Sequence, residues 1–422
     1  MADVLMKNIA ENIGENETET VSSSVNILND LSEIIEDVLR KLPAKSLNTC
    51  SRVCKRWHDS VKRIKKRRQQ FSWIHYEESM ATNIKDEIDS VLQNMSSEPG
   101  TALIFCSNAL QMEQIKTTPE EHVGQEAHQT RARSKKVTVL DYIKSQLPQQ
   151  CRVATSVTAG VVSTTFDNTK CSESETDGSL TCLLLPKIPG LDIYTFSFDG
   201  FMDLPDSEPE SNYFNWRSEH CLWGIQNNPG FPEGVIPKLL LQLSADHYFP
   251  NQALTAALYG YFKQKIVVAG GMVDDVYLES CQEDDDDDIL RREMSTLGIA
   301  FCGDDTKVAS VIVPADVTNP KQVESVMSQL RGSHIPDSNR IGFMFACIGR
   351  GYGLYHKQNV ESEIFRKLFP KTPLYGFYGN GEIGYNYLPD YSDIKTCDES
   401  SDEELPIFQH GYTTIIVLVS LS

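Results

Sequence analysis

From residue 80 onward no apolar run of this chain is longer than a β-strand. The runs include TALIF (101–105), SLTCLLLP, DIYTFSF, KLLLQLSA, KIVVAGG, IGFMFACIG, PLYGFYG and YTTIIVLV. Runs of this length between turn residues read as buried strands. Amphipathic helices separate them. NIKDEIDSVLQNM places Ile84, Ile88, Val91, Leu92 and Met95 on one face, and VTVLDYIKSQLP (137–148) ends at Pro148. NQALTAALYGYF starts from Asn251 as cap. QVESVMSQLRG turns Val323, Val326, Met327 and Leu330 inward and stops at Gly332, and NVESEIFRKLFP stops at Pro370. LGIAFCGDDTKVASVIV predicts a hairpin about Gly-Asp-Asp, and CRVATSVTAGVV and KIVVAGG predict strands running into glycine turns. The fold class expected is α+β with mixed sheets. No internal repeat is defensible from sequence, and two related halves remain open.

With 422 residues the chain has room for two or three domains. Loop residues concentrate over 203–234, a domain junction or a long excursion. The expected division is an acidic disordered tail (1–24), a helical module (25–72), and two body domains, 80–245 and 246–422. A net charge of -20 disfavours direct nucleic-acid binding. The chain shows neither a signal-peptide pattern nor an apolar run of the ~20 residues that a membrane helix needs. Eleven scattered cysteines without C-x-x-C spacing read as reduced intracellular thiols and predict no metal site. EDDDDD (283–288) lacks the alternating ligands and glycine of a calcium loop.

Residues 30–64 carry two apolar series at helical spacing. Asp30 and Glu33 form a capping-box pattern before Ile34, Ile35, Val38, Leu39 and Leu42, and Pro43 ends the first helix. Leu47, Cys50, Val53, Cys54, Trp57, Val61 and Ile64 follow in steps of three or four. About forty residues are too few to bury such faces alone, so a partner or the next domain must cover them. The order Glu33, Ile34, Ile35, Val38, Leu39, Leu42-Pro43, Leu47, then Val53-Cys54-Lys55 and Trp57, resembles the F-box family. The family's opening Leu-Pro is absent, with Asp30-Leu31-Ser32 there instead, which removes one usual adaptor contact.

The second half resembles the C-terminal part of FIST domains. Its signature appears as Cys347, Gly349 and Arg350, a helix with Glu361 and Glu363, then Pro373, Gly376, Phe377, Gly381, Glu382 and Ile383, with Phe408, His410, Thr413 and Thr414 closing. SVTAGVV (156–162) and the glycines at 270–271 fit less specifically. FYGNGEIG also contains a literal G-x-G-x-x-G, but YNYLPDYSD follows it rather than a helix, so it is no dinucleotide turn.

These resemblances imply a small all-α F-box module before a large mixed-sheet FIST body. They imply a non-catalytic substrate-recognition subunit of an SCF-type ubiquitin ligase, hung on a Skp-type adaptor and through it on cullin and RING subunits. The adaptor contacts implied are Leu31, Ile34, Ile35, Val38, Leu39, Leu42, Pro43, Leu47, Val53, Cys54 and Trp57. The body would hold protein targets, nuclear regulatory proteins among them, for ubiquitination and proteasomal degradation, without a cofactor. Cys347, Arg350, Gly351, Gly376, Gly381 and Glu382 are the candidate target or ligand site. The alternative is a sensor of an amino-acid-like molecule. A nucleophilic Cys347 would need His356 or His410 as base. The basic runs KRIKKRR (62–68) and RARSKK (131–136) read as import signals or acidic-target contacts, and the expected location is cytoplasm and nucleus.

Overall fold

The computed structural model describes residues 32–80, 82–117, 135–175, 178–199, 232, 234–245, 251–262, 266–280, 294–389, 391 and 405–421. The N-terminal module comprises α1 (Ser32–Leu39), α2 (Ala44–Cys50) and α3 (Lys55–Arg67). The body, in chain order, is β1 (Ser72–Glu77), α4 (Ile84–Asn94), β2 (Pro99–Ser107), α5 (Asn108–Gln111), β3 (Gln114–Thr117), β4 (Lys135–Thr138), α6 (Val139–Gln146), β5 (Arg152–Thr158), β6 (Gly160–Thr164), β7 (Cys171–Ser174) and β8 (Ser179–Pro186). Then come β9 (Asp192–Asp199), β10 (Leu239–Ser244), α7 (Asn251–Tyr261), β11 (Val267–Met272), β12 (Asp275–Ser280) and β13 (Met294–Cys302). The last stretch is β14 (Lys307–Val313), α8 (Pro320–Ser328), β15 (Arg340–Cys347), α9 (Gly351–Tyr355), α10 (Val360–Leu368), β16 (Leu374–Gly379), β17 (Glu382–Gly384), β18 (Gln409–His410) and β19 (Thr414–Ser420). The predicted class holds: a helical module precedes a body of mixed sheets.

Three large sheets share one plan. Their orders are β1-β8-β2-β5-β12, β9-β13-β10-β11-β17-β18 and β14-β19-β15-β16-β6-β7. Each has a parallel pair, β2/β5, β10/β11 or β15/β16, joined by a helical crossover. Two antiparallel strands extend the first member of each pair. The second member is extended by one antiparallel strand in the first sheet and by two in the others, and these always come from another unit. The first unit lends β6 and β7 to the third sheet, the third lends β17 and β18 to the second, and the second lends β12 to the first.

This exchange corrects two expectations. The body holds three related units rather than two halves, and a cut at 245/246 would fall between the parallel strands β10 and β11. The predicted hairpin over residues 297–313 does not form either. β13 pairs with β10 and β9, whereas β14 pairs with β19, so the Gly-Asp-Asp turn carries the chain from one sheet to another. Two apolar runs and a turn specify strands, not partners.

The sheets meet around one core, with Phe105 and Leu183 from the first, Leu241 and Phe301 from the second, and Phe343, Phe345, Phe377 and Val417 from the third. Helices cover the outer faces: α4 and α6 on the first sheet, α7 on the second, α8 and α10 on the third. The strands are therefore buried on both sides, which is why they read as continuous apolar runs. The helix spacings hold as well, for Val323, Met327 and Leu330 are buried. The glycines at 270–271 lie inside β11, not in a turn. Gly270 and Gly376 occupy like places in the second members of two parallel pairs, at φ of 144° and 155°. A Cβ would lie 1.9 Å from the Gln242 carbonyl oxygen and 1.8 Å from that of Met344 respectively, so neither position accepts a side chain.

The tail, most of the 203–234 stretch, the acidic run 283–288 and residues 131–134 lie outside the described residues, as do Asp30 and Leu31.

Candidate functional site

The helical module closes a core of its own, so the implied adaptor residues divide into two sets. Ile35, Leu39 and Leu47 are buried together with Cys50, Val61 and Ile64, and Leu42 and Trp57 pack half-buried against them. These residues hold the helices together, and Ile35, Leu39 and Leu47 leave almost no surface for a partner, which corrects their assignment as direct contacts. Trp57 in particular lies on the module's own core. Ile34, Val38 and Val53 point outward at 47%, 45% and 59% exposure, and Cys54 beside them is exposed. Pro43 is half-buried and starts α2. Cys54, in extended conformation, starts α3.

The body grips this module. The Ala44 amide donates to the Met95 carbonyl at 2.9 Å. Arg68, just past α3, donates to the carbonyls of Ser96 (2.8 Å) and Arg40 (2.6 Å), and Ser97 donates back to the Arg68 carbonyl. Asn48, Lys65 and Glu98 are linked across the same seam. Arg40, Arg63 and Arg67 converge on Glu36, and the Arg40 hydrogen bond foremost holds its carboxyl below the usual range. Much of the basic run 62–68 is thereby engaged within the fold. Of the run 131–136, only Lys135 and Lys136 are described, at the start of β4.

In the third unit, β15 ends at Cys347, and the following segment winds through Gly349, Arg350 and Gly351 into α9 and then α10. Arg350 is 1% exposed, and all five guanidinium N–H groups are spent on the protein. Nε donates to Glu361 (2.8 Å), and Nη1 to the carbonyls of Pro314 and Tyr412 (both 3.1 Å). Nη2 donates to the Val317 carbonyl (2.9 Å) and the Tyr355 hydroxyl (2.8 Å). Arg350 therefore cannot serve as a ligand's anion partner, which corrects its place in the candidate site. It is the bolt of the segment.

Glu382, in β17, is 1% exposed. Its Oε2 accepts from the Thr413 amide (3.0 Å) and hydroxyl (2.7 Å), while Oε1 has no hydrogen-bond partner among the described residues. Burial pushes its pKa up to about 7. The neighbouring Cys347 thiol is raised by burial and then by the Glu382 charge. A thiol so placed stays protonated, the opposite of an activated nucleophile. The two proposed bases have other duties: His410 Nε2 lies 2.9 Å from the Gly384 carbonyl, and His356 packs edge-on against Tyr352. Gly376 lies within β16 and Gly381 in the turn before β17, so the two glycines support strands and turn rather than line a ligand. FYGNGEIG forms a strand, a turn and a strand, as its lack of a helix predicted.

Two residues that sequence reasoning missed complete the site. Glu173, on the lent strand β7, accepts from the Ser362 amide and the Tyr378 hydroxyl, each at 2.6 Å. It thus caps the first turn of α10 from another unit. Burial, with Glu361 close by, pushes its pKa up to about 7. Glu175 accepts from the Tyr352 amide at 2.6 Å, and a Cβ on Gly351 would lie 2.1 Å from that carboxylate. Gly351 is thus required for close approach. Nothing in CSESE signals these roles, because the residues they serve lie about 180 positions away.

Comparison with known proteins agrees with both parts of this architecture. The F-box domain family matches residues 28–69, and the FIST C domain family matches residues 301–385. F-box only protein 22 from Pongo abelii and that from Homo sapiens are each 30% identical over 408 residues, 94% of this chain and 94% of theirs. An F-box implies a Skp-type adaptor as partner, and with it the coarse role of a substrate adaptor in SCF-type ligases. With both domains present and the identity spread over nearly the whole of either chain, the protein belongs to the F-box only protein 22 family.

Proposed function

We propose that this chain is the substrate-recognition subunit of an SCF-type ubiquitin ligase, with its helical module on a Skp-type adaptor and its FIST body on the target. The observation that supports this most directly is the set of unpartnered aliphatics, Ile34, Val38 and Val53, on a module whose interior is otherwise closed. Exposed aliphatics on two neighbouring elements suit helix-in-groove recognition, with apolar burial as the driving term. The mechanism is scaffolding: a target held near a charged ubiquitin carrier meets it at raised effective concentration. The module's hydrogen bonds to residues 95–98 would carry adaptor and target as one body. A pull-down from co-expression with a Skp-type adaptor tests the reading. Ile34→Glu with Val38→Glu should abolish capture while the chain keeps its melting temperature; capture by that variant at the wild-type level would refute it.

The target surface is expected on the body, and we place the protein in cytoplasm and nucleus. Fluorescent tagging with Lys62→Ala and Lys66→Ala checks whether the exposed cations of α3 direct nuclear entry. The amino-acid-sensor reading loses its natural anchor, because Arg350 has no donor left for a carboxylate.

A further inference from the structure

The first unit carries a cavity of about 490 Å³ on the helix-covered side of its sheet. A space of this order holds a long side chain or a small ligand. Its floor is apolar, made by Ile84 at the start of α4, Leu110 of α5 and Ile115 of β3, all buried. Tyr76 of β1, half-buried, forms a wall. Two exposed carboxylates line the same cavity, Glu78 just past β1 and Glu113 between α5 and β3. Glu78 is fixed in place: its amide donates to the Gly178 carbonyl (2.7 Å), and its Oε2 accepts from the Gly178 amide (3.3 Å). A Cβ on Gly178 would lie 3.1 Å from that oxygen and 3.5 Å from Leu110 Cδ1, so the carboxylate stands beside the apolar floor. Glu113 is placed by its backbone, whose amide donates to Leu110 and whose carbonyl accepts from the Val139 amide. Its carboxylate has no partner among the described residues. Burial first, and then the charges of Glu78 and Glu113, hold the Tyr76 phenol above its usual range.

We propose that this cavity binds a lysine side chain of a target protein. The inference rests on the target-holding role proposed for the body, and it names what that body would recognise. A lysine can lay its aliphatic stem on Leu110 and Ile115 while its charged head stays at the mouth. The ammonium brings three donors, and the cavity offers three acceptors: the Glu78 and Glu113 carboxylates and the Tyr76 hydroxyl. An arginine suits the place less, because its planar fork matches one carboxylate, whereas these acceptors stand on separate elements. Two cations of the chain also line the cavity. Lys85 is committed elsewhere, since its Nζ donates to Asp89 at 2.6 Å and lies 5.3 Å from the centre of the Tyr142 ring. Lys116, exposed on β3, is uncommitted among the described residues. Carboxylates without a countercharge thus outnumber free ammonium groups there, and the balance favours a cation.

Binding of the full chain to an array of N-acetylated, C-amidated peptides, each with one fixed central residue among degenerate uncharged neighbours, tests the site. Peptides centred on lysine should be retained about tenfold more strongly than those centred on acetyl-lysine. The preference should shrink as salt is raised. Glu113→Lys should erase it and Lys116→Glu should strengthen it, both at an unchanged melting temperature, because both side chains are exposed. Equal retention of lysine and acetyl-lysine by the wild-type chain overturns the proposal without any variant. So does a preference for acidic centres, which would make Lys116 the recognising group, and so does a lysine preference that persists in folded Glu113→Lys. The adaptor pull-down does not involve this cavity. A flat array beside an intact pull-down therefore sinks the lysine site alone, while a lysine-selective array beside a failed pull-down sinks the ligase reading and leaves the site standing.

Discussion

Arg350 stands beside a strand-end cysteine, in a setting that invites an anion, yet it gives every donor to the protein. Removing it would strand Glu361, 1% exposed, as an unpaired buried charge. Arg350→Ala should therefore destabilise the body by about 3–5 kcal/mol in chemical denaturation. Arg350→Lys should recover only part of this, because an ammonium cannot reproduce the five-way fork. Tyr378 offers a finer test. Its hydroxyl is foremost among the groups holding the Glu173 pKa down. Tyr378→Phe should move the pH dependence of stability upward by up to about one pH unit, read from thermal melts across the neutral range. At this scale, legibility followed distance in sequence. Cys347, Arg350 and Glu361 lie within fifteen positions and were visible together as a motif. Glu173 and Glu175 were invisible because their significance depends on which sheet receives β7.

The helices are legible in the chain because each declares an inside and an outside face. The N-terminal module shows where that ends: spacing groups Ile34 with Ile35 and Val38 with Leu39, but only packing decides which member of each pair is buried. The two sets should respond oppositely. Leu39→Ala should cost about 2–5 kcal/mol and melt the module. Val53→Ser should leave the melting temperature within about 1–2 °C and weaken adaptor capture. Circular dichroism beside the pull-down separates the cases. Strands are legible too, but their partners are not, since apolar runs such as LGIAF and VASVIV carry no address. Gly376→Ala tests the close parallel pairing. With a Cβ 1.8 Å from the Met344 carbonyl, the variant should be recovered largely insoluble or with a sharply lowered denaturation midpoint.

The three-unit body is held by exchange, each sheet being completed by one or two strands borrowed from another unit. A fragment of residues 246–422 would lack β6, β7, β9 and β10, leaving the second and third sheets incomplete. It should aggregate alone, whereas residues 70–422 should give a soluble body with a cooperative melt. Co-expression of 70–245 with 246–422 should rescue the fragment, and a well-folded isolated fragment would contradict the exchange. This long-range order was the least readable feature in the sequence, because a unit that gives away its last hairpin looks like a unit with an irregular loop. It also bears on how the protein is made. The strand at residues 414–420 lies between β14 and β15, inside its sheet. That sheet cannot close until residue 420 has cleared the ribosome. The helices at residues 32–67 are made well before the strand that completes this sheet, so a Skp-type partner that binds early would hold an unfinished body.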